Sequence, residues 1–521
     1  MKKKLKPILI TVAVLAGLTG GGIYLLGRGG KSLSQFEKRI ASEQSDQSQD
    51  RAYRHDTGKT AVELLLSGEN KNVLNFDHAN IYDTAESQAA RDRLDRVIKK
   101  TDVDFENPII AANPFGTNDN TFYFRFDTEY KGMVRYTITV EDESIPDHVR
   151  YVNNGQEKNL TKQHEFIVSG LVPGMTNYLI IEVLDSSGAS RDKLTYKYTV
   201  PAAKLSNKIP VETGKSKQLA ENGLYFVFPS GEKDIYIYDN SGILRDVVGT
   251  ESAHGSRIYQ SGDSAIYQVS DKKVAKVSSL GMVKGVTTVK GYGKIQDFSY
   301  DGYDNIYCLV QKKGRQYLVS ASFETGKTKR VYTFPKDIKT KSLTTPVNGT
   351  MYVACSSPGG IMKLEAVTSA RPEISYVLGK KADWKKITKK DKSLKKKIIE
   401  EETAVRWDVS GAVLNLNDQV SDGKTDTIST YLVEKDKGTG IDFSIQGKEN
   451  KVSVNISLPT GQSSACTGQT YGDHFVITDL GAGSVTEYDE DGKTVKTYSM
   501  GHSLEGMTKM TLNGMCFYSG N

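Results

Sequence analysis

The sequence predicts an all-β protein: a six-bladed β-propeller preceded by a small β-sandwich domain and an N-terminal transmembrane helix. Three observations lead there. A cassette of short strand-like runs recurs through the second half of the 521 residues. A separate cluster of alternating strands fills 106–202. A charge-free run over 8–26 follows Lys2, Lys3, Lys4 and Lys6.

At a rise of about 1.5 Å per residue, a helix over 8–26 just spans a hydrocarbon core of about 30 Å. The lysines should stay in the cytoplasm and send the rest outside. A cleaved signal peptide is the rival reading, but the run is long for one and no small-x-small site precedes Arg28. No cysteine follows, which excludes a lipoprotein. The reading is a signal-anchor over 1–27, single-pass in the cell membrane, with the bulk of the chain extracytoplasmic. Residues 28–60 are polar and read as a stalk. Residues 61–105 read as a helical segment, with helices over 60–66 and 87–100. In the second, Ala90, Leu94, Val97 and Ile98 share one face.

The sandwich is expected over 106–202, from alternating runs at 121–128, 133–142, 164–171, 177–185 and 194–200. NNG, VPG and SSGAS are the turns between them. A linker over 201–214 leads into the propeller, 215–521.

The propeller cassette is plainest over 472–501, GDHFVITDLGAGSVTEYDEDGKTVKTYSMG. Three strands are expected, at 475–479, 484–488 and 494–498, with DEDG as a hairpin turn. Related stretches begin near 234, 304, 349 and 410. A multi-stranded period of about 40–50 residues means propeller blades, which bury their faces only by stacking into a ring. An open stack of hairpins is the rival. The run TLNGMCFYSG at 511–520 looks like a spare strand that completes the blade begun near 224–228.

The length accommodates two cores. Net charge is +6, with opposite charges interspersed. The densest basic run, 380–397, is followed by Glu400, Glu401 and Glu402 and reads as a solvated helix, so no nucleic-acid partner is expected. Cys308, Cys355, Cys466 and Cys516 lack metal-ligand spacing. The first two sit in apolar strands as buried thiols, and one disulfide stays open for an exported chain. There is no metal-spaced cluster, GxSxG elbow or phosphate-binding glycine loop, so no metal or cofactor is expected.

Two stretches carry a resemblance. One is NPIIAANPFGTN, the FRFDT strand and HEFIVSGLVPGMTNYLIIEVLD, over 107–185. The other is LYFVFPSGEKDIYIYDNSGILRDV, QDFSYDGYDNIYCLV, ACSSPGGIMKLE and SACTGQTYGDHFVITDLGAGSVTEYDEDGKTV in the propeller. Together they resemble bacterial arylsulfotransferases, and the likeness covers most of the chain after about residue 105. It implies sulfate transfer from a phenolic ester to a phenol: a histidine carries the sulfuryl group, others shuttle protons and an arginine faces its oxygens. A phenolic or sulfated small molecule would be the ligand.

The chain departs from that pattern at its centre. Where the family begins a strand with His-Asp-Phe, this one reads Gln296-Asp297-Phe298. Two other histidine positions read Ser342-Leu343-Thr344-Thr345 and Thr403-Ala404-Val405, and an arginine position reads Pro358. No histidine lies between His254 and His474. The resemblance therefore implies a degenerate catalytic site. His254 and His474 are the remaining candidates for catalysis, each weighed against an ordinary loop or core histidine. Gln296, Asp297, Ser356, Ser357, Asn417 and Asp418 are candidate ligand-binding residues at the mouth. Trp384 and Trp407 read as packing residues. Three functions stay open: an aryl sulfotransferase, a non-catalytic ligand- or partner-binding propeller of the cell envelope, and an envelope assembly protein.

Overall fold

The computed structural model describes residues 62–63, 72–152, 160–252, 255, 257–369, 371–379, 381–395, 397–399, 415–421, 425–434, 437–446, 449–458 and 466–510. At 62–63 and from 415 to 468 the description is of backbone alone.

The sandwich is built on one bent strand, Phe122–Val140, rather than the two expected. Its first half pairs with Ile109–Ala112 and Thr161–Val168, and its second with His148–Tyr151 and Thr176–Leu184. Alternation sends Phe122, Phe124, Phe126, Val134, Tyr136 and Ile138 into one core with Phe166, Ile181 and Val183. The register shifts between Asp127 and Gly132, where the strand crosses from one sheet to the other. Gly132 is needed there, since a Cβ would lie 2.5 Å from Val183. Ser190–Thr199 follows on the outer side of Thr176–Leu184. Val62–Glu63 adds a parallel pair beyond it, so extended chain stands inside the stretch expected as a helix over 60–66.

The second expected helix is α1, Thr84–Ile98. Asp83 caps it, accepting from the backbone amides of Ala85 and Glu86. Its buried face, Ala90 and Leu94, packs on Tyr123 and Ile167 of the sandwich and on Leu280 and Met282 of the propeller. Ser87 Oγ accepts from the Val283 amide at 2.9 Å, which ties the helix to a blade.

The first blade orders its strands Leu244–Val248, Ile235–Asp239, Leu224–Pro229 and Leu504–Met510. The second is Ile258–Ser261 to Val283–Thr288, and the third is Ile295–Tyr300 to Thr328–Thr333. The fourth runs from Lys339–Leu343 to Glu373–Leu378 and adds a parallel pair, Ile398–Ile399. Before that pair come helices α2, Lys381–Lys390, and α3, Lys392–Lys395. The last blade runs from Cys466–Tyr471 to Thr494–Ser499 and takes Val211–Thr213, from the linker, as a fifth strand. The innermost strands of neighbouring sheets meet, Ile295–Tyr300 against Lys339–Leu343 and Cys466–Tyr471 against Leu504–Met510.

Strands from both ends of the propeller thus fasten the ring. The C-terminal strand closes the first blade, and the linker strand extends the last. The closing strand pairs with Leu224–Pro229 as expected but is Leu504–Met510; residues 511–520 lie outside the described residues.

The expected fold class needs two corrections. Five blades, not six, are defined with packed side chains: the first four and the last. The stretch counted as a blade from 410 is a four-stranded meander over Asn415–Ser421, Thr425–Glu434, Lys437–Gln446 and Glu449–Leu458, known by its backbone pairing. Its last three strands are ten residues each, longer than the five to eight of the blade strands around it, so two strand-like runs did not amount to one more copy of the cassette. The transmembrane helix is not supported either. Among the described residues no helix is long and apolar enough to cross a membrane, and 8–26 lies outside them.

Candidate functional site at the propeller centre

The innermost strands of the third and fourth blades share a local device. In Ile295–Tyr300 the register slips between Ile295 and Asp297, leaving Gln296 as the extra residue of a β-bulge. Lys341 stands at the same kind of slip between Thr340 and Ser342, and Asn417 between Leu416 and Asp418. The bulge re-aims side chains: Gln296 and Lys341 are exposed while Asp297 and Ser342 turn inward and are buried.

Around Asp297 three blades meet. Arg257, just before the first strand of the second blade, lies with Nη2 at 3.4 Å from Asp297 Oδ2. Its Nη1 donates to the Leu343 carbonyl of the fourth blade at 2.8 Å. The Leu343 amide donates to Asp297 Oδ2 at 2.9 Å. Burial pushes the Asp297 carboxyl up, and Arg257, the Leu343 and Phe298 amides and Lys341 pull against that. Asp297 Oδ1 is buried without a hydrogen-bond partner. Beside it, Gln316 Nε2 donates to Gln296 Oε1 at 2.8 Å, and its Oε1 accepts from the Thr340 amide. Two cations therefore flank one buried carboxylate, an arrangement that can draw an anion to the mouth.

Gln296 and Asp297 are thus brought together, with Arg257, Gln316 and Lys341 as partners that sequence reading did not single out. Ser356 and Ser357 are exposed at the end of Met351–Ser357, with Ser356 Oγ 3.4 Å from the Lys339 carbonyl. Asn417 and Asp418 lie in the meander and their side chains are outside the described residues, as is His254. Trp384 is fully buried and donates to the Gly359 carbonyl, a packing residue; Trp407 lies outside the described residues.

His474 stands elsewhere. It opens the second strand of the last blade, opposite Tyr471 at the far end of the innermost strand. Both ring nitrogens are engaged: Nδ1 with Glu487 Oε1 and Nε2 with Gln218 Oε1, each at 2.7 Å. Glu487 also accepts from Lys509 Nζ, Tyr225 Oη and the Glu221 amide, all at 2.8 Å. Burial would raise the Glu487 carboxyl, but Lys509 and His474 hold it down at about 2. Burial lowers Lys509, opposed by Glu487. The Lys509 ammonium also lies 4.7 Å from the Tyr225 ring and 4.8 Å from that of Tyr471. This network bridges the last and first blades. Nothing in the local pattern around Lys509 foretold it.

Other histidines serve packing. His148 is buried against Gly170, where a Cβ would lie 2.3 Å from its ring, and burial with Arg245 and Arg150 pushes its pKa well down. Burial, with Arg125, lowers His164 to about 4. Cys308 and Cys355 are buried free thiols. Among the described residues no group of three or more His, Cys, Asp or Glu side chains could hold a metal.

No curated protein matches the chain in sequence. Solved structures share a distant likeness. One from a nidogen/laminin complex is 14% identical, covering 55% of this chain and 97% of its own at a TM-score of 0.35. A putative 6-phosphogluconolactonase from Bacteroides uniformis is 11% identical, covering 73% and 99% at 0.33. TolB from Acinetobacter baumannii is 10% identical, covering 63% and 77% at 0.31. Likenesses of this size say nothing of what this chain binds. The sandwich is more informative: residues 109–201 match the Arylsulfotransferase Ig-like domain, which relates this part of the chain to the arylsulfotransferases.

Proposed function

We propose that this chain is an arylsulfotransferase-like protein with a degenerate catalytic site, acting as a ligand-binding propeller outside the cytoplasm. Its place is at the cell membrane. The ligand is a phenolic or sulfated small molecule, met at the mouth where Arg257 and Lys341 flank Asp297. The observation that carries this reading is the bulge at Gln296. It presents an amide where the resemblance calls for a histidine. A glutamine amide can hydrogen-bond a sulfate oxygen but cannot carry a sulfuryl group or shuttle its proton. The cations that would face an anion remain.

The test is intact-mass spectrometry on the full chain after incubation with an aryl sulfate, with calorimetric binding measured in parallel. The expected result is saturable binding, weakened at least several-fold by Arg257→Gln, and no covalent sulfo-adduct. An adduct on a histidine would overturn the degenerate site. Absence of binding would overturn the ligand.

A further inference from the structure

Gln296 stands at the mouth with a side chain that has two faces. A primary amide carries an acceptor oxygen at one corner and an NH2 donor at the other, so what it shows a ligand depends on which way it is held. Gln316 decides that here. It reaches over from the third strand of the same blade, Arg315–Ser322, and is buried.

The orientation is anchored to backbone. The Thr340 amide can only donate, and it donates to Gln316 Oε1. Gln316 Nε2 therefore lies at the other corner, 3.4 Å from the Thr340 carbonyl oxygen and 2.8 Å from Gln296 Oε1, and both of its protons are used. Only an acceptor fits the second of these contacts, so Gln296 must turn its oxygen to Gln316. Its Nε2 is left on the far corner of an exposed side chain, where it makes no hydrogen bond among the described residues. Lys341, exposed at the corresponding bulge of the fourth blade, is a second donor.

We propose, on the ligand reading above, that Gln316 is a positioning residue that sets the mouth to hold the sulfate ester in preference to the free phenol. The terminal oxygens of an ionised sulfate ester only accept, and an NH2 held outward donates to them. A reversed amide would turn its oxygen toward the anion, and would instead take the proton of a phenol hydroxyl. A histidine at 296 could present either kind of nitrogen; the Gln316–Gln296 pair presents a donor alone.

The experiment is calorimetric titration of the full chain with phenyl sulfate and with phenol, read as the ratio of the two affinities. Gln316→Met should lower that ratio several-fold by letting the Gln296 amide turn. Gln316→Glu keeps an acceptor for the Thr340 amide and serves as a second variant should the first lose its fold, which circular dichroism verifies. When ionised its other oxygen can only accept, so the Gln296 amide reverses and the ratio should fall about tenfold. In a Gln296→Met background, Gln316→Met should leave the ratio within about twofold. A merely structural Gln316 would instead weaken both ligands alike, and in both backgrounds. That result, or an unchanged ratio in both Gln316 variants, would overturn the proposal while binding of phenyl sulfate still supported the ligand. Binding of neither compound by the unaltered chain would overturn the ligand reading and the proposal with it.

Discussion

Lys509 Nζ lies 2.8 Å from Glu487 Oε2, and neither side chain exposes any surface. The lysine belongs to the strand that closes the first blade, the glutamate to the last blade. The pair therefore sits in the seam where the ring is fastened. Breaking a buried pair on one side leaves the other charge uncompensated, which typically costs about 3–5 kcal/mol. Lys509→Met should destabilise by that order in urea unfolding. Lys509→Met/Glu487→Gln should recover part of the loss.

Acid should open the same seam. The Glu487 carboxyl titrates at about 2 in the fold against an ordinary value of 4.5. A carboxyl held low contributes stability above its unfolded pKa and loses it as pH falls toward the folded one. The Glu487 contribution should therefore fade between about pH 5 and 2, and unfolding midpoints over that window, compared with Glu487→Gln, would show it.

Asp246 should act in the opposite direction. It is fully buried in the first-blade strand Leu244–Val248, and burial pushes its carboxyl up to about 8. The unfolded chain then ionises first, so this group costs stability as pH rises from about 4 to 8. Asp246→Asn keeps the oxygen that accepts from the Val247 amide at 2.8 Å. It should stabilise the protein at pH 8 by roughly 1 kcal/mol or more and leave it nearly unchanged at pH 4. Denaturant midpoints at the two pH values check this.

Arg257 and Asp297 should be coupled. Arg257→Met strands a buried carboxylate and should lower stability by roughly 1–3 kcal/mol. Asp297→Asn in that background should restore part of it, and a double-mutant cycle measures the coupling.

Gly483 should tolerate no side chain. Its φ is +63°, and a Cβ would stand 1.7 Å from the His502 carbonyl oxygen. Gly483→Ala should cost roughly 3 kcal/mol or more, read as a fall in thermal midpoint.

Local pattern carried the strands well. The expected runs at 484–488 and 494–498 are Ser484–Tyr488 and Thr494–Ser499. What pattern could not carry was long-range pairing. Leu504–Met510 puts Lys509 in a buried position, which reads as an exposed one unless Glu487 is known to face it. Val211–Thr213 is three residues beside Pro210 and Gly214, too short to announce a strand that depends on the last blade for its partner. At the site, Gln296 and Asp297 were legible as the opening of an inner strand. The role of Arg257 was not, because its acceptor at Leu343 is 86 residues away. The bulges were equally silent, since a register slip exists only relative to the paired strand.

His474 bridges Glu487 and Gln218 at the seam of the ring, and on the proposed reading it does no chemistry. The most direct measurement follows phenol release from a chromogenic aryl sulfate with a phenol acceptor. The full chain and His474→Ala are compared, and the thermal midpoint of each is recorded. The expected result is no turnover by either protein and a lower midpoint for His474→Ala, by roughly 1–3 kcal/mol of lost stability. Turnover by the full chain that His474→Ala abolishes, at an unchanged midpoint, would contradict it.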